Sequence, residues 1–183
     1  MARAVYVGRF QPFHLGHFRV VDEYREEFDE FVMALGSADK RREEDNPLTV
    51  EERKDVIHQC FPGLHILGIE DEGDTEEDNR QWAEKLEEKT GADVVLSQNE
   101  LVKRLVEEYT DMELLEHQLF DPEVYSGTEI RRRIRSDEEW RYLVAGCAEE
   151  KIEEYREIIR KSGIQYDFNP GWKKENASHG TAD

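Results

Sequence analysis

The run Gly8-Arg9-Phe10-Gln11-Pro12-Phe13-His14-Leu15-Gly16-His17 carries the residue types and spacing that could do chemistry. His14 and His17 stand three apart across a predicted helix start, so their rings can share one face. Gly16 between them has no side chain and lets a ligand approach the backbone closely. A helix N-terminus presents free N–H groups and the positive end of a dipole, which suit a chain of phosphates. Imidazoles there can donate to phosphate oxygens, and Arg9 adds a permanent cationic fork. Two histidines at this spacing could be incidental surface or capping residues. Their place at a strand-to-helix junction favours the chemical reading.

A second stretch points the same way: Tyr125-Ser126-Gly127-Thr128-Glu129-Ile130-Arg131-Arg132-Arg133-Ile134. Ser126 or Thr128 can cap a helix whose free N–H groups face outward, and Arg131 lies one turn into it. Hydroxyls, helix N–H groups and an arginine together would make a second phosphate clamp. Arg132, Arg133 and Arg135 read equally well as a solvated basic face. Asn79 and Trp82 are one helical turn apart, and a lone tryptophan at helical spacing reads first as a core residue.

These residues need a scaffold, and the hydrophobic pattern supplies one. Short β-prone runs at Ala2 to Gly8, Asp29 to Gly36, Leu64 to Ile69, Asp93 to Ser97 and Met112 to Leu115 alternate with amphipathic stretches. The helices expected between them are His14 to Phe28, Leu48 to Cys60 with Thr49 and Glu52 as a capping box, Asn79 to Lys89, and Glu100 to Tyr109. From Gly127 only helices are expected, ending near Lys161. Strict alternation predicts an α/β fold: a Rossmann-like, doubly wound parallel sheet with a C-terminal helical segment. Residues 1–168 form one domain without internal repeats. The acidic stretch Asp71 to Asp78 reads as a loop and 169–183 as a tail.

Composition bounds the setting. The 183 residues hold 44 Asp and Glu against 25 Lys and Arg, a formal net charge of −19. That balance argues against a nucleic-acid polymer as partner, because phosphate backbones need a basic face. It also suits a protein working in concentrated salt, an expectation that equal solubility and stability in low salt would contradict. An apolar share of 37%, arranged periodically, excludes a disordered chain. No apolar run reaches membrane-spanning length. Cys60 and Cys147 stand alone, with neither metal-ligand spacing nor a disulfide framework, so a reducing cytoplasm is the default.

The HxGH element, together with SGTEIRRR towards the C-terminus, resembles the HxGH nucleotidyltransferase superfamily. The fuller GRFQPFHLGH form is similar to that of the archaeal nicotinamide-nucleotide adenylyltransferases. The similarity runs with gaps from Val5 to about Val144 and takes in Gly36-Ser37-Ala38, Asn46-Pro47-Leu48-Thr49, Glu52-Arg53, Asn79, Trp82 and Ser97 through Val102. It implies transfer of AMP from ATP to nicotinamide mononucleotide (NMN), giving NAD and pyrophosphate, with Mg²⁺ carried on the ATP phosphates and no covalent intermediate. His14, His17 and Arg131 would be catalytic: His17 on the α-phosphate and bridging oxygen, His14 orienting phosphate. Arg9 and Arg131 would hold the β- and γ-phosphates, with Ser126 and Thr128 at the second helix end. Gly8, Phe10 and Gly16 would complete the ATP loop, and Asn79 and Trp82 would meet the nicotinamide. A homo-oligomer is also implied.

Departures fall in the acceptor half. Lys40-Arg41-Arg42 stands where relatives usually carry Ser-His, Ser97-Gln98-Asn99-Glu100 replaces Ser-Gly-Asn-Pro, and the acidic stretch before Asn79 is longer. Two alternatives follow: an adenylyl- or cytidylyltransferase with another phosphorylated acceptor, or a non-catalytic nucleotide sensor. Gln11-Pro12-Phe13 speaks against the first, and both histidines with Arg131 against the second. His58, His65, His117 and His179 show no paired arrangement and read as surface or packing residues.

Overall fold

Alternating side chains sort the sheet's two faces. Along β1 (Arg3–Gly8), Ala4 and Tyr6 enter one core and Val5 and Val7 the other, so both faces are buried. The same alternation divides β2 (Glu30–Leu35), with Phe31, Met33 and Leu35 on the first side and Val32 and Ala34 on the second. With β3 (His65–Gly68), β4 (Val94–Leu96) and β5 (Glu113–Leu115) the strands form a parallel sheet in the order β3-β2-β1-β4-β5. This is a computed structural model, and it describes residues 1–164. The stretch 169–183, read from sequence as a tail, lies outside the described residues, as does His179.

Helices cover both faces, as a doubly wound sheet requires. On one side lie α1 (Leu15–Tyr24), α2 (Val50–Cys60), α5 (Gly127–Arg135) and α6 (Gly146–Lys161), contributing Val20, Ile57, Ile130 and Ile152 to one core. On the other lie α3 (Glu76–Thr90) and α4 (Glu100–Tyr109), contributing Leu86 and Val106 to the second. Each such fully buried aliphatic side chain stabilises the fold by roughly 1.5–3 kcal/mol. The chain runs outward from β1 through β2 to β3, then crosses back to β4 on β1's other side. The strand order therefore splits between β1 and β4, and ligands of such sheets sit outside the carboxyl ends at that split.

Three expectations change. Helix α1 ends at Tyr24, not Phe28, because the chain must turn back into β2: Asp29 N–H donates to the Ala2 carbonyl, and Ala2 N–H to the Asp29 carboxylate. Helix α3 begins at Glu76, inside the supposed acidic loop. Thr75 accepts from Asp78 N–H at 3.1 Å while the Asp78 carboxylate accepts from Thr75 N–H at 3.0 Å. That box and the favourable field at a helix N-terminus outweigh the repulsion among Glu76, Glu77 and Asp78.

The cysteines are the third correction. Cys60 at the end of α2 and Cys147 at the start of α6 are joined in a disulfide, with Cα atoms 5.2 Å apart. They are separated by 87 residues, so spacing along the chain says nothing of their proximity, and the cysteine argument for a reducing compartment falls. The bridge ties the C-terminal helix to the helix packed beside β2. Thiol titration of the unreduced, denatured chain should therefore find no free thiol. Cys147→Ser should lower unfolding stability by about 2–4 kcal/mol. Two reactive thiols in protein purified without reductant would contradict the pairing.

Candidate active site

Strand β1 stops at Gly8, and the chain then folds tightly. Phe10 takes a left-handed backbone conformation (φ 53°) that returns its ring over Gly8, where a Cβ would lie 2.9 Å from that ring. Gly8 is thus fixed by the phenyl packed upon it. Gln11, buried, pairs its whole amide with the backbone of Leu48: Nε2 donates to the Leu48 carbonyl at 2.8 Å and Oε1 accepts from Leu48 N–H at 3.0 Å. This fastens the loop to the segment leading into α2.

The two histidines then cap α1 reciprocally. His14 is the N-cap; its Nδ1 accepts from His17 N–H at 3.3 Å, and His17 Nδ1 accepts from His14 N–H at 3.2 Å. A capping box ordinarily uses Ser or Thr with Glu. Here two imidazoles fill both places and stack, with centroids 3.5 Å apart. Because each Nδ1 accepts, the hydrogen-bond network assigns each proton to Nε2. Gly16 gains a second reason: a Cβ there would stand 2.9 Å from His14 Cε1. His17 is further held edge-on by Phe10 at 4.7 Å and stacked on Phe13 at 5.8 Å between centroids.

Both rings are neutral. Burial pushes the His14 pKa down from 6.5 to about 3. Burial, then the neighbouring His14 and His117, holds His17 well below its usual value. The pair therefore offers two fixed Nε2–H donors instead of two cations.

Two cavities adjoin at the β1–β4 split, both touching Val7 and Asn99. The larger, about 630 Å³, is lined by Gly8, Arg9, Gly36, Ser37, Asp39, Lys40, Asp71, Asn79 and Trp82 among others. The smaller, about 190 Å³, is lined by His14, Gly16, His17, Gln98, His117, Phe120 and Tyr125 among others. Asn79 and Trp82 thus both face a cavity, and Trp82 at the same time packs against the second core, as the core reading had it. Arg9 is exposed at the larger cavity and has no ion-pair partner among the described residues. Ser37 donates to Asp71 at 2.9 Å, and Lys40 pairs with the same carboxylate at 3.1 Å. A shallower depression of about 730 Å³ near Arg42 and Ile164 contains none of these residues.

The second motif arrives from behind. Ser126 caps α5 by accepting from Glu129 N–H at 3.1 Å. Arg131 is 3% exposed and donates to the Gln11 carbonyl at 2.7 Å, to Asp45 at 3.0 Å and to the Thr128 hydroxyl at 3.4 Å, leaving Nε without a partner. A Cβ on Gly127 would lie 2.8 Å from that same carbonyl, so this glycine permits α5 to abut the histidine loop. Arg132 and Arg133 are occupied by Glu129 and Glu138, and Arg135 by the Glu44 carbonyl. Of the four arginines only Arg131 touches the histidine loop; the other three, left open between clamp and basic face, are held elsewhere.

His117 was read as a surface or packing residue, and the structure gives it a place in the site. It is buried, lies 5.3 Å edge-on from Tyr6, and shares the smaller cavity with both loop histidines. Its Nδ1 lies 3.0 Å from the Gln118 carbonyl. Its only sequence signal, a lone histidine after a short strand, carried no partner. Arg53, buried behind the larger cavity, was visible only as part of the resemblance.

A family model described as cytidylyltransferase-like matches residues 5–133. A nicotinamide-nucleotide adenylyltransferase of Methanosarcina barkeri is 36% identical over 174 residues, covering 92% of this chain and 98% of that protein. One from Methanosarcina acetivorans is 39% identical over 169 residues, covering 90% and 95%. Among solved structures, a bifunctional NMN adenylyltransferase/ADP-ribose pyrophosphatase from Francisella tularensis, crystallised with AMP and a manganese ion, superposes with a TM-score of 0.70 at 14% identity. The match takes in all of this chain and 57% of that one. At that identity the likeness speaks for the fold.

The imidazole pair yields a direct check. Both histidines bind protons less readily folded than unfolded. The stability linked to them is therefore complete above the unfolded value of 6.5 and is lost as pH falls, for His14 towards about 3. Nitrogen NMR of the free protein between about pH 5 and 8 should show both rings neutral with Nε2 protonated. A His14 ring titrating near 6.5, or carrying its proton on Nδ1, would contradict the reciprocal cap.

Proposed function

The chain belongs to the cytidylyltransferase-like family and, within it, to the nicotinamide-nucleotide adenylyltransferases; from that premise we propose how its residues transfer AMP from ATP to NMN, yielding NAD and pyrophosphate. The observation that carries this reading is the pair of adjoining cavities, one holding Asn79 and Trp82 and the other His14 and His17.

NMN occupies the larger cavity. Its carboxamide meets the Asn79 amide, its ring lies against the Trp82 indole, and its phosphate points towards Arg9. ATP occupies the smaller cavity with its α-phosphate at His17. An oxygen of the NMN phosphate attacks the α-phosphorus in line; one P–O bond forms, the bond to the bridging oxygen breaks, and pyrophosphate leaves with that electron pair. The nucleophile is already ionised, so no base is needed. Positioning and charge stabilisation dominate such a step.

His17 Nε2–H donates to the α-phosphate and the bridging oxygen as negative charge develops there, and His14 Nε2–H orients the neighbouring phosphate. Arg9, without an ion-pair partner among the described residues, lines the larger cavity and so serves the NMN phosphate instead of the β- and γ-phosphates that the resemblance implied for it. The Gly8–Phe10 backbone and Gly16 let the triphosphate lie against the loop, and the Ser126–Thr128 end of α5 adds N–H and hydroxyl donors. Arg131 holds the loop through the Gln11 carbonyl; it reaches the β- and γ-phosphates by exchanging Asp45 for phosphate oxygen. Mg²⁺ arrives with ATP as part of the substrate, borne on phosphate oxygens and water. The Francisella neighbour's manganese ion supports use of a divalent cation. Among the described residues, no group of three or more His, Cys, Asp or Glu is placed to hold a metal.

Pyrophosphate release from Mg²⁺·ATP should depend on NMN and fail with phosphopantetheine or FMN. Release with FMN but not NMN, or with no acceptor tried, would overturn the reading. His17→Ala should lower kcat by about a thousandfold while ATP still binds, the scale of losing one preorganised donor. Near-normal turnover would remove His17 from the mechanism. Trp82→Ala should raise KM for NMN by about tenfold, with KM for ATP unchanged, as expected for one lost stacking contact.

A further inference from the structure

Arg53, one turn into α2, is 1% exposed, yet its hydrogen bonds all go to backbone carbonyls. Nη1 donates to Arg9 and Gly36 at 2.8 Å each, Nη2 to Ser37 at 3.3 Å and Nε to Thr49 at 3.4 Å. Among the described residues it has no hydrogen-bonded carboxylate. Carbonyl dipoles replace only part of the water such a charge gives up, so an arginine buried this way is costly to keep. A neutral donor could join the ends of β1 and β2 at lower cost.

The location gives that charge a use. Arg9, Gly36 and Ser37 all line the larger cavity, whereas Arg53 stands behind them. The Gly36–Ser37 peptide is trans, so a Gly36 carbonyl drawn towards Arg53 sends the Ser37 N–H the opposite way. That N–H has no acceptor among the described residues. The same guanidinium fixes the Arg9 carbonyl, and with it the root of the exposed Arg9 side chain. Salt weakens the field of exposed Arg9 far more than that of a buried guanidinium. Burial brings the Arg53 pKa down to about 10, which still leaves it charged at neutral pH.

We propose that Arg53 is a positioning residue for the acceptor phosphate. It turns the Gly36–Ser37 peptide so that the Ser37 N–H faces that phosphate, anchors Arg9 beside it, and places a buried positive charge beneath both, against the nearby carboxylates Asp39 and Asp71. This rests on the placement of NMN in the larger cavity.

The test is steady-state kinetics of Arg53→Gln and Arg53→Lys with NMN and ATP varied separately, alongside thermal melts. In Arg53→Gln, KM for NMN should rise about tenfold or more, the worth of one charge-assisted hydrogen bond, while KM for ATP and kcat stay within about twofold. Arg53→Lys keeps the charge without the fork and should fall between the two proteins. An unchanged KM for NMN in folded Arg53→Gln overturns the proposal, as does an equal rise in both KM values. Should Arg53→Gln not fold, the lysine variant decides by the same split: a rise confined to NMN supports the proposal, and its absence overturns it. A wild-type protein without NMN-dependent pyrophosphate release would instead contradict the acceptor assignment itself.

Discussion

The reciprocal hydrogen bonds between His14 and His17 are the constraint around which the site is arranged. Each ring spends its Nδ1 on the other's backbone N–H, which starts helix α1 and fixes both tautomers at once. Neighbouring choices follow from keeping that box intact. Gly16 leaves room for the His14 ring, while Phe10 and Phe13 wall in His17. Gln11 and Arg131 tie the preceding loop to the Leu48 segment and to α5. The helix cap and the proposed phosphate donors are one structure, so those donors are held in place before any substrate arrives.

Charge is managed on two levels. The chain is acidic overall, and many of its exposed arginines, such as Arg80, Arg104 and Arg132, are occupied by glutamates on their own or neighbouring helices. Such exposed pairs contribute little each. The cations near the cavities are few: Arg9 lines the larger one and has no ion-pair partner among the described residues, while Arg53 and Arg131 are buried behind the loops and bound to backbone carbonyls. The acidity reaches the strand ends too, where Asp39, Asp71, Glu72 and Asp74 line the larger cavity, so a phosphate there depends on the few cations beside them.

Much of the scaffold was legible because it rests on local rules. Alternating apolar residues mark β1 and β2, Thr49 with Glu52 forms its capping box, and the strand-helix alternation forces a parallel, doubly wound sheet. The HxGH spacing was legible for the same reason, since three residues across a helix start bring two side chains together. What escaped depends on distance through space. Cys60 and Cys147 meet only because α6 packs on α2, His117 joins the site only because β5 lies beside β4, and Arg131 turns inward because Gly127 lets α5 touch the loop. The start of α3 was missed for a different reason: Thr75 and Asp78 form a box within a stretch whose charge disguised it.

The central claim is that two neutral, mutually capped imidazoles, lining the smaller of two adjoining cavities, meet ATP there while NMN binds in the larger. A structure of the protein with NMN and a non-hydrolysable ATP analogue measures this most directly. The account predicts unchanged His14–His17 hydrogen bonds, His17 Nε2 within about 3 Å of an α-phosphate oxygen, and the nicotinamide against Trp82. Triphosphate bound away from His17, or a histidine pair that must come apart to admit it, would contradict the account.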